Sequence, residues 1–128
     1  MIDDKLWKIF SEYIRLRDAD ENGYCTCCTS GELIFWKDCD AGHFISRRHL
    51  ATKFDEKNVH SQRRFDNRFA AGNQFAYSKF IDKKYGKGTA DLLELKSRQR
   101  HKIGKFEIDQ LTKYYKEKVQ EFKKEKGL

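Results

Sequence analysis

The chain has 128 residues, the size of one domain, with no room for a second core. Apolar residues make up 38% and charged residues 37%, with ten Phe, six Tyr and two Trp to fill a small core, so a disordered chain is excluded. No stretch approaches the roughly 20 apolar residues of a membrane span, and a formal charge of +7 suits a polyanionic partner, although Lys-rich helices also serve solubility alone.

Proline is absent, which favours uninterrupted helices. Residues 2–18 form an amphipathic helix: Ile2, Leu6, Ile9, Tyr13 and Leu16 alternate steps of four and three, and Trp7, Phe10 and Ile14 widen the stripe. Asp18 to Gly23 ends it, since acids, amides and glycine disfavour a helix interior. The start lacks a basic segment followed by an apolar run, so no secretory signal is read. Adjacent Cys27 and Cys28 are poor disulfide partners for each other, and the cytoplasm is the expected compartment.

Cys25 to Gly31 reads as a tight turn, and Leu33-Ile-Phe-Trp36 as a short strand. His43-Phe-Ile45 is expected as its returning partner, with Asp38 to Gly42 turning between them. Residues 47–59 have no sustained period and read as loop with one helical turn. A helix is expected from His60 to Ala71, closed by Gly72, and another around Phe75, Phe80 and Ile81 that stops near Gly86-Lys-Gly88. Thr89 is a candidate cap for a segment from Ala90 to about His101. The last helix starts near Lys105, with Ile108, Leu111, Tyr115, Val119 and Phe122 on one side and lysines on the rest. The expected fold is a single α+β domain over residues 1–128: an N-terminal helix (1–20), a core containing a small β-hairpin (24–73) and C-terminal helices (74–128).

The residues that can carry chemistry lie in Asp40-Ala-Gly-His43-Phe-Ile-Ser-Arg47, in Asn58-Val-His60 and at Asn67. Hydrolytic cutting of a phosphodiester needs a base for water, a divalent cation at the phosphate and leaving oxygen, and donors for the developing charge. An imidazole such as His43 can be the base, because its ordinary pKa lies near neutrality. Asp40 and Asn67 can give oxygen ligands to Mg²⁺ or Mn²⁺. Arg47 and Arg48 beside the base suit phosphate contacts, and Arg98, Arg100 and Lys102 form a second compact basic cluster. Taken singly, each has a plainer reading. A lone His is usually a surface or core residue, Asn a turn or cap residue, and adjacent Arg merely solvated.

The stretch from Cys25 to Asn73 resembles the HNH, or His-Me finger, nuclease motif: a His on a hairpin, an Asn in the following loop and a third residue on a helix. More closely, the chain resembles the NinG/Rap family of phage recombination endonucleases. That likeness rests on Ile14-Arg-Leu-Arg-Asp18, Cys25-x-x-Cys28, Asp40 to Arg47, Phe54 to Gln62, Asn67-Arg-Phe and Gly72-Asn73. The resemblance implies a ββα-metal core and cutting of branched DNA such as Holliday junctions and D-loops. It implies His43 as general base, Asn58 as the loop residue that fixes the hairpin, and Asn67 as metal ligand on the helix. Asp40 is a candidate second ligand. It stands three residues before His43, where a regular strand turns it to the other face unless Ala41-Gly42 bulges.

The sequence departs from the resemblance at the cysteines. The resemblance implies a second Cys-x-x-Cys after the Asn-Val-His segment, as sequences of this type usually carry, and two such pairs would make a tetrahedral Zn²⁺ site. Here those positions are Arg63 and Asp66, so Cys25 and Cys28 are candidate zinc ligands without their partners, open to completion by Cys27, Cys39 or His60. Equally, Arg63 and Asp66 can form an ion pair in the metal's place. His60 itself is read as a helix-start residue. Cutting both strands of a junction implies a homodimer. Two rival readings stay open: a DNA-binding module that keeps the nuclease shape without cutting, and a general nickase on duplex DNA.

Overall fold

The structure, a computed structural model, describes residues 2–128. Helix α1 (Asp4–Asp18) buries Leu6, Phe10, Tyr13, Ile14 and Leu16, as the apolar stripe requires. It packs along the long C-terminal helix α6 (Lys105–Lys126), which presents Ile108, Tyr115 and Val119 to it. Phe10 meets Tyr115 edge-on at 5.0 Å between ring centroids, and Tyr13 lies 4.8 Å from the same ring. Both tyrosine hydroxyls donate to the Glu56 carboxylate, at 2.7 Å from Tyr13 and 3.1 Å from Tyr115. The Lys126 ammonium crosses back to the C-terminus of α1 and donates to the carbonyls of Leu16, Arg17 and Ala19. It thus satisfies acceptors that a helix end leaves free.

Two antiparallel hairpins follow. Strands β1 (Tyr24–Thr26) and β2 (Leu33–Phe35) pair with Cys25 opposite Ile34. Strands β3 (Asp40–His43) and β4 (Val59–Gln62) pair with Gly42 opposite His60 and His43 opposite Val59. The expected pairing of Leu33–Trp36 with His43–Ile45 is therefore corrected: each segment takes a different partner. The segment expected to start a helix at His60 is instead a strand, and His60 sits within it. All four β4 residues are buried, so neither alternation nor helical period shows in its sequence.

Between β3 and β4 runs a loop with the single turn α2 (Leu50–Lys53), as expected. After β4 comes α3 (Arg64–Arg68), five residues rather than the expected twelve-residue helix. Ala71, Gly72 and Asn73 then all take positive φ and turn the chain into α4 (Gln74–Tyr85). Helix α5 (Thr89–Ser97) is shorter than expected. Thr89 is its first residue, not its cap; the Asp82 carboxylate caps it by accepting the Ala90 N–H at 2.8 Å. A second apolar cluster, with Phe44, Tyr77, Ile81 and Leu93 at its centre, joins α4 and α5 to the end of β3. Among the described residues no helix is long and apolar enough to cross a membrane.

Candidate active site

The succession β3, loop, β4, α3 brings together residues 24 positions apart in sequence. His43 ends β3, and Asn67 stands on α3. The two side chains line one cavity of about 230 Å³, together with Trp7, Ala41, Arg47 and Gly72. The cavity shares Trp7, Ala41, Arg47 and Asn67 with a second one of about 430 Å³, so the two form one continuous groove. Arg15, Lys37, Arg64 and Arg68 add positive charge to the second part, against a single acid, Asp40.

The imidazole of His43 has a defined tautomer. Its Nε2 lies 3.0 Å from the Lys53 carbonyl oxygen, which can only accept, so Nε2 carries the proton. Burial pulls its pKa down to about 4; the hydrogen bond to Lys53 opposes this, and the charges of Arg47 and Lys53 reinforce it. At neutral pH the ring is uncharged, and Nδ1 keeps a free lone pair. One ring face is covered by Trp7, stacked at 4.8 Å, and the Arg47 guanidinium lies 5.3 Å from the same indole. A free lone pair on a ring held by a carbonyl and a stacked indole is what a general base for water requires.

The position of that carbonyl is itself fixed. Asn58 is fully buried, and its carboxamide makes three hydrogen bonds. Oδ1 accepts the Ile45 N–H at 2.8 Å, and Nδ2 donates at 3.0 Å to the carbonyls of Ile45 and Thr52. Asn58 thereby ties the strand end after His43 to the turn that carries Lys53. The Lys53 ammonium is anchored in turn by the buried carboxylate of Asp3 at 2.8 Å, which fastens α2 to the start of α1.

Asp40 and Asn67 also meet, with Asn67 Nδ2 donating to Asp40 Oδ2 at 2.9 Å. No bulge interrupts β3, so Asp40 lines the larger cavity but not the one with His43, as regular alternation dictates. Gly42 serves another purpose. A Cβ there would run into the side chain of Gln62, which is buried and donates to the Gly72 carbonyl at 2.8 Å. Both Asp40 oxygens accept from the Arg68 guanidinium, at 2.8 and 2.9 Å, and Arg64 lies 3.7 Å away. Burial works against the charge of Asp40, but these donors outweigh it and hold the carboxyl below the usual carboxylate range. One carboxylate and one carboxamide in contact fit a water-rich Mg²⁺ or Mn²⁺ seat, provided the Asn67 amide turns its oxygen inward and Arg68 yields part of its hold.

The candidate zinc ligands do not converge. Cys25 donates to the Arg15 carbonyl at 3.2 Å, whereas Cys28 belongs to the second apolar cluster. The thiol facing the Arg63–Asp66 segment is Cys27, whose Sγ accepts the backbone N–H of Arg63 at 3.2 Å and of Ser30 at 3.4 Å. Burial would raise the Cys27 pKa, but these donors and the neighbouring hydroxyls outweigh it and lower it. Arg63 and Asp66 form the ion pair anticipated above, at 2.8 Å, and Asp66 also accepts from the Thr29 hydroxyl at 2.6 Å. Among the described residues no group of three or more His, Cys, Asp or Glu is placed to hold a metal. His60 is enclosed by the hydroxyls of Tyr85 and Tyr77, at 2.8 and 3.4 Å, away from this network.

Of the basic residues named from sequence, Arg47 lines both parts of the groove. Arg48, Arg98, Arg100 and Lys102 line neither, and Arg98 pairs with Glu94 at 2.7 Å. Sequence reasoning missed Trp7, Arg15, Lys37, Arg64 and Arg68. Arg64 and Arg68 were open to discovery, since their four-residue spacing around Asn67 puts them on one side of a helix.

The family model described as bacteriophage lambda NinG protein matches residues 2–125 of the chain. No curated protein and no solved structure matches it.

Proposed function

We propose that this chain, which belongs to the bacteriophage lambda NinG family, is a metal-dependent endonuclease of the HNH type that acts on branched DNA intermediates of phage recombination. The observation that carries the reading is the shared cavity of His43 and Asn67, with the His43 imidazole neutral and its Nδ1 free. In this reading Nδ1 takes a proton from the water that attacks the scissile phosphorus. The Lys53 carbonyl, opposite, steadies the imidazolium that forms. Asp40 and Asn67 would hold a divalent ion, which when bound supplies charge stabilisation at the phosphate and the leaving 3′ oxygen. Arg47, Arg64 and Arg68 would neutralise flanking phosphates, and because such contacts carry no base code, substrate shape rather than sequence would govern choice. Two cuts in one junction would call for a homodimer.

One observation favours a second reading, a DNA-binding module without catalysis: the bidentate hold of Arg68 on Asp40 occupies both carboxylate oxygens. The protein is incubated with labelled four-way junction, linear duplex and single strand in Mg²⁺ and in Mn²⁺, beside a His43→Ala variant. The nuclease reading expects metal-dependent cutting, strongest on the junction and absent from the variant. Binding without cutting under every metal condition selects the module, and equal cutting of plain duplex selects a general nickase.

A further inference from the structure

Helix α3 carries more than Asn67. Arg64 and Arg68 sit on the side that lines the groove; Phe65 and, just past the helix end, Phe69 stand four residues apart with their rings in tilted contact, 6.1 Å between centroids and 38° between planes. Both are largely exposed, Phe65 at 59% and Phe69 at 77%. The Arg63 guanidinium lies 5.4 Å from the Phe65 ring. Two exposed aromatic rings in contact are not explained by folding, because turning them outward leaves apolar area in water that a polar residue would not expose. Their setting narrows the occupant. Three arginines, Arg63, Arg64 and Arg68, interleave with the rings within one short segment that opens on the candidate active site. Rings alternating with guanidinium groups suit a strand whose phosphates meet the arginines while its unpaired bases lie on the rings. A paired duplex offers the rings no base face except at its ends.

We propose that Phe65 and Phe69 form a stacking platform for unpaired bases of a DNA strand entering the groove, so that the site prefers DNA with a single-stranded arm over uninterrupted duplex. The proposal rests on the reading that the groove takes DNA, but not on the cutting step. Its test therefore reads binding, in protein carrying His43→Ala so that nothing is cleaved. Duplex with a single-stranded flap, bearing 2-aminopurine in the flap, is titrated beside the same duplex without the flap. Intact α3 is expected to bind the flapped DNA about tenfold more tightly and to change the 2-aminopurine emission, as stacking on one or two rings would. The Phe65→Ala/Phe69→Ala double variant should lose that preference and the emission change while keeping duplex affinity. Phe65→Trp should restore both, and Phe106→Ala, an exposed phenylalanine that lines neither part of the groove, should leave both intact.

If the double variant binds flapped DNA as tightly as its parent, the platform is refuted while the nuclease reading stands. If wild-type protein never cuts but shows a flap preference that the double variant loses, the nuclease reading falls and the platform survives. Absence of binding to either DNA refutes both. Self-association in sedimentation that the double variant abolishes, with flap binding unchanged, would assign the rings to a second copy of the chain and also overturn the proposal.

Discussion

At the scale of single residues, the most consequential side chain is one that touches no substrate in the proposed reaction. Asn58 satisfies three backbone groups from a fully buried position, and two of its bonds tie the chain after His43 to the turn that presents the Lys53 carbonyl. Removing it strands buried polar groups, which costs far more than the net worth of the bonds themselves. Asn58→Ala is expected to lower stability by about 3 kcal/mol in urea unfolding. The Ile45 amide should also exchange its hydrogen faster in that variant. Asn58→Asp, which keeps the acceptor and loses both donors, should be no better. Unchanged exchange at Ile45 in the Ala variant would contradict the assigned role.

At the scale of elements, the question is what holds a five-residue helix in register with a strand. A helix this short has little stability of its own, so its position depends on tertiary anchors. Asp66 is the chief one. It is almost fully buried, accepts from Thr29 on the turn between β1 and β2 and from Arg63, and is also bonded by Asn73 beyond the helix. Burial alone would resist its ionisation, but these donors prevail and hold its carboxyl below the usual range. Since Asn67 is the next residue, a loosened Asp66 misplaces the proposed metal ligand. Asp66→Ala should cost about 2 kcal/mol of stability. It should also lower kcat for junction cleavage much more than it raises KM, because small misplacements act on the reaction more than on binding. Asp66→Asn, which retains part of the network, should fall between. A variant that loses stability but keeps kcat would show that Asp66 holds the fold and not the site.

At the scale of the whole molecule, two neutral histidines, the buried His60 and the half-buried His43, couple folding to pH. Burial and the charge of Arg17 drive His60 down to about 3, against the pull of Asp18, with Lys84 adding to the fall; His43 sits at about 4. The unfolded chain takes up a proton on each near pH 6.5, where the folded protein does not. Stability is therefore intact above about pH 6.5 and is lost as pH falls toward the folded values, at about 1.4 kcal/mol per pH unit for each group. Denaturant unfolding at pH 7 and pH 5 should differ by about 2 kcal/mol on account of His60. His60→Gln should remove that share, and parallel pH profiles for the two proteins would refute the assignment.

Elements whose apolar residues face one side only were legible in the sequence. Helices α1 and α6 appear where their stripes placed them, and α4 ends at the Gly86–Gly88 break. Strand β4 was not legible, because a strand buried on both faces has no alternation, and its loss hid the true pairing of β3. At the candidate site the block around His43 and the spacing to Asn67 pointed to two residues that line one cavity, whereas Asn58 is buried outside its lining. Trp7, Arg15 and Lys37 reach the groove only through tertiary packing of α1 and the turn after β2, and no local pattern marks them.

The central claim is that His43 Nδ1 deprotonates the attacking water, and single-turnover cleavage of a four-way junction in Mg²⁺, with and without added imidazole, tests it most directly. The account predicts that His43→Ala binds the junction like wild type, cleaves it about 10³-fold more slowly, and recovers part of that loss when imidazole fills the vacated space. Cleavage by His43→Ala at the wild-type rate would contradict it.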